Sequence, residues 1–174
     1  NFNDGTPTVL HDGETYSGSG NATISDSLGN LLFYTDWEKV FNKNHEIMQN
    51  GTELNHPGVA GRTILKWPGK ENLYYIFTAV NPNGNTGFYY SLVDLALNNG
   101  LGAIIEKENP VQLGWDAADR IAIVKVDDSD NAWVIARKFF DDSFACFLVN
   151  ENGLNSEPII SILPNQDANL ARWG

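Results

Sequence analysis

An all-β fold is what this sequence predicts, and three observations predict it. Short runs of β-branched and aromatic residues recur along all 174 residues, with five Trp, six Tyr and nine Phe among them, a supply suited to packing on pleated sheets. Turn-forming pairs separate the runs, among them Gly29-Asn30, Asn50-Gly51, Asn83-Gly84 and Asn152-Gly153. Helical periodicity is weak throughout, and only the stretch from Asn165 to Arg172 has the pattern of a helical turn.

Taken in order, the runs repeat. The first, "TPTVLHDG" (6–13), has no partner ahead of it, so it reads as an outer strand at about 6–12. Residues 22–36 then read "ATISDSLGNLLFYTD", residues 64–78 "ILKWPGKENLYYIFT" and residues 123–137 "IVKVDDSDNAWVIAR". Each is a short apolar strand, a polar turn ending in Asn (Asn30, Asn72, Asn131) and a longer strand. A third strand follows in each copy ("KVFNKNHEIM", "GFYYSLVDLAL", "SFACFLVNENG"), and a fourth follows the second and third copies ("GAIIEKENPV", "EPIISILPN"). A four-stranded antiparallel module of this length cannot bury either face alone and needs a like module on each side. The expected architecture is therefore a β-propeller. About three blades are present of a larger ring, about seven-bladed, with blades at 21–56, 62–113 and 119–164. "NLARWG" (169–174) reads as the entry to the next blade. A compact β-sandwich of the same strands is the alternative.

Twenty-two acidic against eleven basic residues leave a net charge of −11. That excludes a basic nucleic-acid footprint and suits either solubility or a surface facing cations. One cysteine, Cys146, permits no intrachain disulfide, and its place in "FACFLV" reads as a buried, inert thiol. No apolar run reaches the roughly 18 residues that would cross a membrane as a helix. A start at Asn1 without Met or signal peptide reads as a mature or trimmed piece of something longer.

Candidate chemistry is sparse. His11, His45 and His56 are the only histidines, with no H-E-x-x-H spacing, and neither a nucleophile elbow nor a phosphate loop occurs. In "DDSDN", Asp128 and Asp130 stand two apart, like the first ligands of a calcium loop. Trp133 and Phe139 occupy the places of the required Gly and Glu, so the choice is between a polar turn and a weak calcium site. Trp37 beside Asp36, and Trp115 beside Asp116, are candidates for stacking on a sugar ring while carboxylates bond its hydroxyls. Trp133 reads as core. A propeller glycosidase would need converging carboxylates, for which Asp36, Asp116 and Asp119 are the candidates. Asn21 and Asn50 stand in N-x-Ser/Thr triplets.

The ordered motifs "ISDSLGNLLFYTD" with "NKNHEIMQNG", "LYYIFT" (73–78), "YSLVDLALNNGLG" (90–102) and "WVIA" (133–136) resemble the N-terminal propeller region of large secreted Bacteroidota proteins. Those proteins end in a gliding-motility-associated, type IX secretion sorting domain. The resemblance covers nearly the whole chain. It departs at Trp37, where the family has Gly, and over 54–62, where the family has a Ser/Thr-rich loop. It implies a protein exported to the cell surface or beyond, with no known reaction. It also implies O-glycosylation at Ser27, since "DSL" is similar to the Asp-Ser/Thr-apolar acceptor of that phylum. The expected function is a non-catalytic recognition or adhesion module, without a cofactor unless a weakly held calcium. Its partner would be a glycan or a protein of the secretion or gliding machinery. The alternative is a carbohydrate-active enzyme using channel carboxylates.

Overall fold

The computed structural model describes residues 11–16, 20–54, 59–80, 87–110, 117–138 and 143–162. Three antiparallel sheets follow one another along the chain. The first holds β1 (Ala22–Ser25), β2 (Leu31–Thr35) and β3 (Val40–Asn42); the second holds β4 (Val59–Lys66), β5 (Leu73–Val80), β6 (Gly87–Asp94) and β7 (Ala103–Pro110). In the third, β8 (Ala117–Lys125), β9 (Ala132–Lys138) and β10 (Ser143–Asn150) are joined by the short β11 (Gly153–Leu154) and by β12 (Ile159–Ile162), which both pair with β10. The expected all-β class is what the chain forms, and β2, β5 and β9 lie in three separate sheets. A two-layer sandwich is not.

Some boundaries differ from the sequence reading. The run "KVFNKNHEIM" stops being a strand after Asn42, because the Asn42 side-chain oxygen accepts the backbone N–H groups of Asn44 and Glu46 and pulls the chain into a turn. His45 therefore sits in that turn with a left-handed φ of 65°, not in a strand. The three opening turns also differ in length. They close through Asp26 and Asn30, Trp67 and Leu73, and Val126 and Asn131, so Asn72 lies one residue inside its turn while Asn30 and Asn131 close theirs. Most of 6–12 and all of 169–174 fall outside the described residues.

Strand pleating gives each sheet two faces, and the second sheet is covered on both. On one side Tyr74, Ile76, Val93 and Ile104 pack against Phe33, Val40, Met48 and Leu54 of the first sheet and its following loop, with Phe33 edge-on to Tyr74 at 5.6 Å. On the other, Leu65, Tyr75, Phe77, Phe88 and Leu92 pack against Ala132, Val134, Ala136, Ala145, Phe147 and Val149 of the third. β5 is accordingly buried from Tyr74 to Val80, whereas β9 and β10 alternate buried and half-buried positions. The first strands lie closest, β1 beside β4 and β4 beside β8. At the outer edge the segment after β3 bridges the gap to β7, where Gln49 pairs with Ala103, the Asn50 amide donates to the Ile104 carbonyl and Lys107 donates to the Thr52 carbonyl.

The stacking has one sense. By register, Leu65, Tyr75 and Leu92 lie side by side in the second sheet as Val124, Trp133 and Leu148 do in the third. Phe77 with Tyr90, and Phe88 beyond them, likewise correspond to Ile135 with Cys146, and Phe144. We call this the forward face. In the second sheet it is covered by the third: Phe77 and Phe88 are 0% and 1% exposed. In the third sheet no other described strand covers the same face: Val124 is 49% exposed and Trp133, Ile135, Phe144, Cys146 and Leu148 are half-buried. Trp133 and Cys146 are thus surface-facing residues of this chain, contrary to the core positions read for them from sequence.

Candidate functional site

The aromatic density of the second sheet reaches the surface where its first turn meets the turns of the third. After β4 the chain runs Trp67-Pro68-Gly69, and Gly69 takes a φ of 71°. Pro fixes the start of the turn and Gly supplies the left-handed position. A side chain at Gly69 would come within 3.3 Å of the Glu151 Cβ, so this glycine lets the turn rest against the β10–β11 hairpin. That hairpin is held by the Asn150 side chain, which accepts the Asn152 backbone N–H at 2.8 Å, and by Gly153 at φ 111°.

A cleft of about 290 Å³ opens here, lined by Trp67, Tyr75, Tyr90, Asn152, Gly153, Leu154 and Ser156. The indole of Trp67 leans on Tyr75 with ring centroids 5.0 Å apart, and its N–H donates to the Glu151 carbonyl at 3.3 Å. Tyr75 in turn meets Tyr90 edge-on at 5.6 Å. The rings hold each other in place, and Gly153 keeps the floor open: a Cβ there would lie 3.1 Å from Trp67. Burial raises the Tyr75 phenol well above its ordinary range, against a backbone hydrogen bond from Leu154. Burial, then the Glu106 carboxylate, raises Tyr90. Both phenols stay protonated at neutral pH and can donate hydrogen bonds.

A second cleft of about 390 Å³ adjoins the first through Asn152, with Pro68, Gly69, Asp130, Asn131, Asn150 and Glu151 around it. The two together run from an aromatic end to an end of amides and carboxylates, and none of their lining residues is Lys, Arg or His. The arrangement offers a fixed ring wall, hydrogen-bonding groups and no positive charge. Comparison with protein families, curated proteins and solved structures finds no match.

The residues singled out by sequence are scattered. Asp36 is 3% exposed and its carboxylate accepts the Glu38 and Lys39 backbone N–H groups at 2.9 and 2.7 Å, so it shapes the β2–β3 turn. Trp37 beside it is 45% exposed, at the end of the stack opposite the clefts. Trp115 and Asp116 lie outside the described residues, as does the side chain of Asp119. Asp128, at φ 56°, and Asp130 are exposed in the β8–β9 turn, and Asp130 alone of the two lines a cleft. Among the described residues no group of three or more His, Cys, Asp or Glu gathers to hold a metal. Ser27 is exposed in the β1–β2 turn. Sequence reasoning missed Trp67, Tyr75 and Tyr90. The Trp-Pro-Gly turn was visible, but only the pairing of β5 with β6 brings the two tyrosines together.

Proposed function

We propose that the three sheets are consecutive blades of a β-propeller that serves as a non-catalytic recognition module. The observation that carries this reading is the bare forward face of the third sheet. The same face of the second sheet is covered by the third, and identical head-to-tail stacking continues until it closes a ring or is capped. The occupant we assign to the bare face is a fourth sheet of the same module, since that is what covers the face one step earlier. Turns between strands then collect at the ends of the stack on a rigid scaffold, the arrangement that favours recognition. The adjoining clefts lie among those turns. Export to the cell surface through type IX secretion, and O-glycosylation at Ser27, rest on the motif resemblance alone. A glycan is the partner favoured by the clefts.

One observation favours a second arrangement, an open stack with a finished end. The outward face of the first sheet is already covered by its own chain: Tyr34 stacks on Phe41 at 5.0 Å, and its hydroxyl hydrogen-bonds His45 Nδ1 at 3.1 Å and receives the Glu14 N–H at 3.1 Å. His45 also approaches the Asp12 carboxylate at 3.5 Å. Such a cover is what a terminal repeat carries.

The test of the recognition reading is direct binding of the 174-residue chain to an immobilised panel of glycans and cell-surface proteins, with product analysis alongside. Saturable binding with the ligand recovered intact is expected. Hydrolysis of any bound glycan would replace this reading with the carbohydrate-active enzyme.

A further inference from the structure

We propose that the two adjoining clefts form one carbohydrate-binding groove for uncharged pyranosides, with a ring held at the aromatic end and hydroxyls bonded at the polar end. The proposal rests on the recognition reading above and names the ligand class of that module. Three features of the groove select this chemistry.

The first is the wall. Trp67 is half-buried, and its free surface borders the cleft while Tyr75 and the Glu151 carbonyl fix its orientation. A sugar ring presents axial C–H groups to such a surface, and a ring that is already immobile loses no further rotamer entropy on binding. The second is the set of polar groups. Among the described residues, the Asn152 amide and the Ser156 hydroxyl make no side-chain hydrogen bond. Asp130 and Glu151 line the adjoining cleft. Amides and carboxylates that can each reach two neighbouring hydroxyls are what fixes the orientation of a sugar.

The third feature is charge. With no cationic side chain in the lining and a net charge of −11 on the chain, a uronic acid, a sulfated sugar or a phosphate has no counter-charge and meets repulsion. The aromatic cleft, at about 290 Å³, is at the lower end of small-molecule pockets, which span roughly 300–1,000 Å³. It suits one ring, with the next unit of the oligosaccharide in the polar cleft.

The test uses the 174-residue chain with neutral hexose, N-acetylhexosamine, uronic-acid and sulfated oligosaccharides, and with extended peptides, by isothermal titration. Asn152→Ala combined with Ser156→Ala alters exposed side chains only, so the thermal unfolding curve stays in place. That variant is expected to weaken a neutral oligosaccharide by about tenfold or more, each tenfold being about 1.4 kcal/mol. Trp67→Phe is expected to weaken it as well. The uronic-acid and sulfated ligands are expected not to bind. Neutral glycan affinity unchanged in both variants would overturn the groove and leave the recognition reading standing. Preference for acidic sugars, or binding of peptides alone, would overturn the ligand class. Failure of every ligand here, together with every protein and glycan of the immobilised panel, would remove the recognition reading itself.

Discussion

Arg62 shows how single residues join the sheets. The residue is 7% exposed, and its guanidinium donates to Thr35 Oγ1 at 3.1 Å and to the carbonyls of Asp36 and Leu54. A charge on the second sheet thereby holds the turn and the trailing loop of the first. Asp36 holds the same turn from within. Replacing Asp36 by Ala strands two backbone N–H groups and is expected to lower stability by about 1–3 kcal/mol, read as a lower urea midpoint. Asp36→Asn, which keeps an acceptor oxygen, should recover part of the loss. Asp26 does for the β1–β2 turn what Asp36 does here, at the surface. The Asn30 amide and backbone N–H lower its pKa, with Leu28 and Gly29 contributing. The sign follows: this contribution is whole above the ordinary aspartate value and is lost as pH falls through the lowered one. An NMR titration should place the Asn30 amide midpoint below the ordinary aspartate range, and above it in no case. Tyr75 behaves oppositely. Its raised pKa makes its contribution complete below the ordinary tyrosine value and lost as pH rises through the folded one. Phenolate absorbance should show a late phase coincident with alkaline unfolding, smaller by one tyrosine in Tyr75→Phe, with the Tyr74 and Tyr90 phenols remaining in it. Little of this was legible beforehand. "YTDWEK" reads equally as a turn capped by Asp36 or as an acid beside an exposed Trp, and only the backbone N–H groups of Glu38 and Lys39 decide between them.

At the level of strands the alternation of faces carries the energetics. Phe147, fully buried against Phe88 at 5.5 Å, and Phe144, half-buried on the bare face, lie on one strand three residues apart. Phe147→Ala is expected to cost about 3–5 kcal/mol through transfer and cavity terms, and Phe144→Ala under about 1 kcal/mol in the isolated chain. Chemical denaturation of both variants measures the contrast, and equal costs would mean that the forward face is packed. Strand existence was well marked in the sequence, because β-branched and aromatic runs between Gly and Asn turns have few other uses. The pairing of three like hairpins was readable for the same reason. Register was not. Turn lengths differ among the three copies, so aligning them on Asn30, Asn72 and Asn131 shifts the middle one, and a shift of one residue exchanges the two faces. The apolar run "AWVIA" did hold information that its isolated sheet does not use. A strand with one solvated face alternates with polar residues, whereas this one is apolar on both.

Across the whole molecule, the stack is asymmetric. One end is covered by Tyr34, Phe41 and His45; the other presents Val124, Trp133, Ile135, Phe144, Cys146 and Leu148. Contiguous apolar surface of this kind marks an interface. A fourth sheet on that face would bring Phe144 into the position of Phe88, which is 1% exposed. The alkylation rate of a cysteine placed there (Phe144→Cys with Cys146→Ser) therefore tests the stacking most directly, compared between the 174-residue chain and the protein produced in its source cells, each with a urea-unfolded control. Fast alkylation in the chain and strong protection in the isolated protein are predicted. Equal rates in the two would show the forward face open in both and would contradict the fourth sheet.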